Sequence, residues 1–428
     1  MGDTATTVIT DLIEGRDFRK SMMKDDICCI ITADGCGGYT SQLLGERGKI
    51  GVPYLVTDSE GKQYVIKGSK YGLIEEVRLN NIVTTGDCFS QSSDISLGLD
   101  EFTNEVLIGY ITSKVCILYG MKAKGHDFVV NYIDNAICGN QGLIMMDYAR
   151  YGALNNLAIS DKLATYRDGE GNVTLDIVRG VINQVLAGIH MFSTTIMYTN
   201  GDLKSENVFI TDEPVKGEYF SLNLDCPIKC KIADHGKSSC LIPRNDGRTV
   251  WIYNHSRAAE IYLSLQPFIP KVFPDPGYSG GHYYVITNKT TMQTYTHMRH
   301  TGNPYYRYLD FYIFMVSLLS IPQFGIPFFQ NDEMVDRYWR TMWVTEEQSN
   351  AMRRQIADKA VIGKRVGTDA ALIMLRGYWL RCEIVDHIVL NREIRYFDPR
   401  SIVTPPSQSS LLSLSSIFGG GNALRTSK

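Results

Sequence analysis

The sequence predicts an α+β fold, with a strand-rich first part and a larger, mainly helical second part. Three observations predict it. Short apolar runs broken by glycine and polar turns recur from Ile27 onward. Ile177, Val181, Val185, Ile189 and Phe192 then repeat at helical spacing. At 428 residues the chain can hold two lobes or domains with substantial cores.

Composition narrows the class. Apolar content is 44% and charged content 21%, ordinary for a globular protein, and the formal net charge is −3. That balance gives no global attraction to nucleic acid or anionic membrane. The ten cysteines are scattered and the first residues carry no signal-peptide pattern, so the thiols read as reduced and the location as intracellular, in the cytoplasm. Cys226, Cys230 and Cys240 lack zinc-site spacing. The apolar run from Phe311 to Phe329 is broken by Pro322 and Pro327, which makes it a buried helix rather than a membrane span.

Taken in order, residues 1–26 read as a polar arm with one short helix. Ile27 to Thr32 reads as a strand, ending at a glycine turn that contains Gly35, Gly37 and Tyr39, and a strand resumes at Gln42 to Leu44. A polar hairpin, Asp58 to Lys62, leads into Tyr64-Val65-Ile66-Lys67. A Ser/Asp-rich insertion follows, then a helix over Glu101 to Ile108. Strand-like runs lie at Val115 to Tyr119, at Phe128 to Ile133 and from Gly142 into Ala149. The helical run from Ile177, with Thr174 as its N-cap, leads to a polar loop and the apolar run Val208 to Ile210. Residues 237–304 are rich in Gly, Pro, Tyr and His. Beyond them come an apolar helix opening near Asp310, a helical stretch from Glu333 to Ile394 anchored by Trp339, Trp343, Tyr378 and Trp379, and a Ser/Leu/Gly-rich tail, 405–428, that reads as disordered.

Two polar loops carry the chemistry. One reads Asn200-Gly201-Asp202-Leu203-Lys204-Ser205-Glu206-Asn207; the other reads Asp234-His235-Gly236. Acids and an amide at the ends of apolar runs suit phosphoryl transfer, which needs a group to orient the attacking hydroxyl and oxygen ligands for Mg²⁺. The pair resembles the catalytic loop and D-F-G of the eukaryotic-type protein kinase family. The Ile66-Lys67 strand resembles V-A-I-K, and the helix around Asp310 resembles the family helix whose acid holds the catalytic-loop backbone. The resemblance spans about 27–394 and implies a bilobal fold, with a β-rich N-lobe over 27–148 and a helical C-lobe over 149–404. Residues 237–304 would contain the activation segment and an insertion, with Arg257 to Glu260 nearest to A-P-E.

The resemblance implies roles. Asp202 receives or orients the substrate hydroxyl's proton, and Lys204 stabilises the transferring phosphoryl. Asn207 and Asp234 hold Mg²⁺. Lys67 holds the α- and β-phosphates of ATP and Glu105 positions it, with Glu75 and Glu76 as rivals. Gly35, Gly37 and Tyr39 form the phosphate loop, although Thr40 stands where its third glycine belongs. Met146 is the gatekeeper, and backbone around Asp147 and Ala149 meets adenine. Lys204 points to a Ser/Thr protein substrate.

Departures from the pattern matter. Gly201 replaces the Arg that docks a phosphorylated activation loop, so such phosphorylation should not be needed. Asn200 replaces a structural His, and His235 replaces Phe, most simply as a core imidazole. The divergence and insertions resemble kinases encoded by large DNA viruses, for which host cytoplasm or virion would be the location. The alternatives are a pseudokinase scaffold, which retention of Lys67, Asp202, Asn207 and Asp234 opposes, and a small-molecule kinase on the same fold.

Overall fold

A computed structural model describes residues 4–22, 27–32, 36–44, 52–70, 80–82, 95–118, 126–139, 141–157, 161–196, 198–254, 283–287, 294–298, 305–339 and 354. Mostly antiparallel sheets and helices make an α+β arrangement. Helices α1 (Thr4–Glu14), α2 (Phe18–Met22) and α3 (Cys28–Thr32) come first, followed by strands β1 (Thr40–Leu43), β2 (Pro53–Thr57), β3 (Gln63–Lys70), β4 (Asn80–Ile82) and β5 (Ile95–Leu99). Helix α4 (Glu101–Leu118) precedes β6 (Tyr132–Cys138) and β7 (Gln141–Asp147).

Strands β1, β2, β3, β7 and β6, in that spatial order, form a five-stranded sheet, antiparallel at every step. Alternation gives its two faces different tasks. Tyr64, Ile66, Leu143 and Met145 form one cluster, joined by Ile27 and Ile30 of the α3 region. Val65 and Lys67 point the other way, opposite Met146 and Ile144, and this face meets α4. Residues 102–113 of α4 are buried without a break, as expected of a helix enclosed on all sides. Gly142 permits the approach, since a Cβ there would stand 2.3 Å from the Phe102 ring.

The N-terminal segment corrects the expectation of a polar arm. Val8, Ile9, Leu12 and Ile13 of α1 and Phe18 and Met22 of α2 are buried in the main core, and α1 packs on α4. The spacing of those four residues makes one apolar stripe. Residues 28–32 form a helix rather than a strand, and Val115 lies inside α4 rather than in a strand. The cysteines also depart from expectation, because Cys28 is bonded to Cys138, 110 residues away, and Cys29 to Cys36. Packing of α3 on β6 creates the first of these proximities. Disulfides persist in oxidising surroundings, so the argument for the cytoplasm from reduced thiols falls. Cys116, Cys226, Cys230 and Cys240 are buried free thiols.

Strand β8 (Gly152–Ala153), α5 (Leu154–Leu157) and the long α6 (Leu175–Ile196) follow. The carbonyl of Thr174 accepts from Ile177 and Val178 at the start of α6, and the five residues read at helical spacing are buried. Strands β9 (Val208–Thr211), β10 (Glu218–Tyr219), β11 (Leu222–Asn223), β12 (Lys229–Ile232), β13 (Ser239–Pro243) and β14 (Thr249–Asn254) come next, and β9 pairs with β12. Strand β14 pairs with β13 and, in parallel, with β5. Strands β15 (Tyr283–Thr287) and β16 (Thr294–Met298) form a sheet with β4. The apolar run divides into α7 (Tyr305–Leu319) and α8 (Pro322–Phe329), with Pro322 in the first turn of α8. Among the described residues no helix is long and apolar enough to cross a membrane. Trp339 is fully buried. Trp343, Tyr378, Trp379, residues 257–260 and the tail 405–428 lie outside the described residues.

Candidate active site

The polar loop and the later acid meet because of strand pairing. Asn207 directly precedes β9 and Asp234 follows β12 by two residues, while Val208 pairs with Ile232. The Ala233 N–H continues the ladder to the Asn207 carbonyl at 2.9 Å. Loops separated by some two dozen residues are thereby placed side by side.

Helix α7 fixes the first loop. Asp310 is fully buried, and its two oxygens accept the N–H groups of Asn200 at 2.6 Å and Gly201 at 2.8 Å. That acid bonds buried amides from within the helix. Seven residues on, along the same helical face, the Ser317 hydroxyl accepts the Ser205 N–H at 2.9 Å. Within the loop, Asn200 Oδ1 accepts the Asp202 N–H at 3.1 Å, and Asn207 Nδ2 donates to the Asp202 carbonyl at 2.9 Å. Asn200 Nδ2 donates to the Tyr198 hydroxyl and, at 3.4 Å, to the Asp234 carbonyl.

Lys67 joins the two halves of the site. Its Nζ donates to both Glu105 oxygens, at 2.8 and 3.0 Å, and to Asp234 Oδ1 at 3.3 Å. The expected Lys67–Glu105 pair is therefore present, while Glu75 and Glu76 lie outside the described residues. The Tyr132 hydroxyl donates to Glu105 as well. Burial alone would lower the Lys67 pKa, but Asp234 and Glu105 together raise it above the ordinary lysine value. Burial pushes Glu105 up to about 7 against the pull of Lys67. Burial also acts to raise Asp234, yet Lys67 beside it holds that carboxyl below its ordinary value.

Asp234 has a positive φ of 59°, a conformation rare outside glycine. Such strain persists where surrounding contacts over-determine it. His235 is one such contact. It is fully buried, with Nδ1 2.8 Å from the Tyr198 hydroxyl and its ring packed near Tyr132 and Tyr198. Burial lowers its pKa to about 3, so the imidazole is neutral.

The glycine turn is not part of this arrangement. Cys36–Gly38 forms a tight turn before β1, held to α3 by Cys29–Cys36, and Tyr39 packs with the cluster on the face opposite Lys67. Gly37 and Tyr39 are therefore corrected as phosphate-loop residues, and Gly35 lies outside the described residues. Met146 shares the face of Lys67, whereas Asp147 donates its N–H to the Asn131 carbonyl and the Ala149 carbonyl accepts from Gly152.

Two residues escaped sequence reasoning. Lys237 Nζ lies 3.2 Å from Asp202 Oδ2, the oxygen that Lys204 reaches at 3.4 Å. Asn104, beside Glu105, donates Nδ2 into the backbone that follows Asp234. A basic residue one position after Asp-His-Gly was a visible signal for the first; nothing local marked the second. Compared with known proteins, the chain matches no family model and no curated relative.

Proposed function

We propose that the protein is a bilobal Ser/Thr protein kinase that transfers the γ-phosphoryl of Mg·ATP to a protein hydroxyl. The observation that carries this reading is Lys67 held between Glu105 and Asp234, with Asp234 tied by strand pairing to the loop of Asp202, Lys204 and Asn207. Asp202 orients the acceptor hydroxyl and takes its proton, while Lys204 neutralises charge on the phosphoryl in flight. Lys67, fixed by Glu105, holds the α- and β-phosphates. Such a reaction needs positioning and charge neutralisation rather than a covalent enzyme intermediate.

The residues present fit Mg²⁺, which prefers hard oxygen ligands. Asp234 offers an ionised carboxylate, and the Nδ2 donation of Asn207 leaves its Oδ1 as the polar atom with which to hold a cation. When bound, the ion neutralises phosphate charge. Around Met146, the Asp147 carbonyl and the Ala149 N–H are the groups proposed for adenine.

The test presents labelled Mg·ATP to the purified full chain with generic basic and acidic proteins and, in parallel, with small hydroxyl metabolites. Protein labelling should be observed, and Asp234→Asn should reduce it about a hundredfold or more with an unchanged melt. Labelling of metabolites alone, or nucleotide binding without any transfer, would overturn the reading.

A further inference from the structure

Asn104 is fully buried on α4, one residue before Glu105. Its Nδ2 faces three carbonyls of the segment after Asp234: His235 at 3.1 Å, Gly236 at 3.1 Å and Ser238 at 2.8 Å. A second buried amide serves the same segment, because Asn254 at the end of β14 donates Nδ2 to the Gly236 carbonyl at 2.7 Å. The lead-in to α4 is held as well. Strand β5, which ends just before the helix, runs parallel to β14 from Ile95 opposite Val250 to Leu99 opposite Asn254. Asp100 then caps α4, accepting the Thr103 N–H at 3.0 Å.

Burying an amide is costly unless it is hydrogen-bonded, and buried carbonyls need donors equally. Asn104 Nδ2 supplies such a donor to these carbonyls, while its Oδ1 finds no partner among the described residues, and the side chain links the helix that bears Glu105 to the loop that bears Asp234. Lys67 bonds to both of those acids. Two parts that must be in register for Lys67 to be held are thus joined to each other by neutral hydrogen bonds, in the interior.

We propose that Asn104 is the positioning residue that keeps Glu105 on Lys67, so that the placement of α4 is built into the fold and needs no phosphorylated residue. The proposal rests on the kinase reading for its consequence in catalysis, while the clamp itself can be read without activity. A merely structural role predicts lost stability alone. A positioning role predicts a released Lys67.

The experiment uses the full chain as wild type, Asn104→Ala and Thr112→Val. Thr112 is buried on the same helix, and among the described residues its hydroxyl bonds within α4, to the Ile108 and Gly109 carbonyls, so it serves as the stability control. Acylation of Lys67 by an amine-reactive reagent is followed by mass spectrometry, beside thermal melts and transfer from Mg·ATP. Asn104→Ala should raise the Lys67 acylation rate severalfold and lower kcat about tenfold, the equivalent of one lost buried hydrogen bond, with a smaller change in KM for ATP. Thr112→Val should change neither. If Asn104→Ala does not fold, Asn254→Ala removes the second donor to Gly236 and should show the same two effects, reduced. Unchanged acylation in a folded variant, or equal changes in the control, would overturn the clamp and leave the kinase reading intact. Released Lys67 with no transfer even by wild type would overturn the kinase reading and leave the clamp intact.

Discussion

His235 shows how one residue can couple a site to stability. Its pKa is lowered by burial from 6.5 to about 3. Between those values the unfolded chain takes up a proton that the folded chain refuses. The stability that His235 contributes is therefore complete above pH 6.5 and is lost as pH falls through the window toward about 3. His235→Phe removes this dependence and keeps the aromatic packing against Tyr132 and Tyr198. In metal-free buffer, the melting temperature of wild type should fall more steeply than that of His235→Phe between about pH 7 and about pH 4.5. Parallel curves would contradict a neutral buried imidazole. The Tyr198 hydroxyl would keep the Asn200 amide as a partner in the variant.

At the scale of elements, α7 is what holds the loop of Asp202. Its acid meets two backbone amides with charge-assisted bonds of 2.6 and 2.8 Å in a fully buried setting. Asp310→Ala would leave both donors unsatisfied, at a cost of about 3 kcal/mol or more. Denaturant unfolding should record that loss, and a loss under about 0.5 kcal/mol would mean that the loop is held by other contacts. Helix α4 plays the corresponding part for Lys67. It is supported by α1 on one side and by the sheet face of Val65 and Met146 on the other.

For the whole molecule, two predictions concern linkages between distant parts of the chain. The Cys28–Cys138 bond closes a loop of 110 residues that includes β1, β3 and α4. Chain entropy assigns such a loop roughly 4 to 5 kcal/mol of stabilisation. Replacing both cysteines by serine should lower unfolding stability by several kcal/mol under non-reducing conditions, and an unchanged denaturation midpoint would show the pair to be reduced in solution. The second prediction concerns regulation. Gly201 has no side chain with which to dock a phosphate, and its φ of 75° suits glycine. Phosphatase treatment should therefore change the transfer rate little. A large loss, reversed by rephosphorylating a residue between Lys237 and Glu260, would contradict this.

The sequence by itself determined the parts whose chemistry is local. Residues 200–207 and 234–236, Lys67 and the acid of α7 were singled out by short motifs and by the family resemblance that those motifs carry. The helical period of α6 was legible from the spacing of its apolar residues, and Glu105 was preferred to Glu75 and Glu76 from its place before an apolar stripe. Tertiary structure decided what depends on distant neighbours. The glycine turn looked like a phosphate loop, but it lies before β1, is tied to α3 by Cys29–Cys36, and Tyr39 packs with the cluster on the face away from Lys67. The first residues looked polar by composition, yet one apolar stripe is enough to bury α1 against α4. The cysteine pairs and the Asn104 contacts had no local mark, since a disulfide partner or a set of acceptor carbonyls exists only once remote segments are brought together. Short-range pattern thus pointed to the candidate groups, while long-range packing supplied what holds them in register.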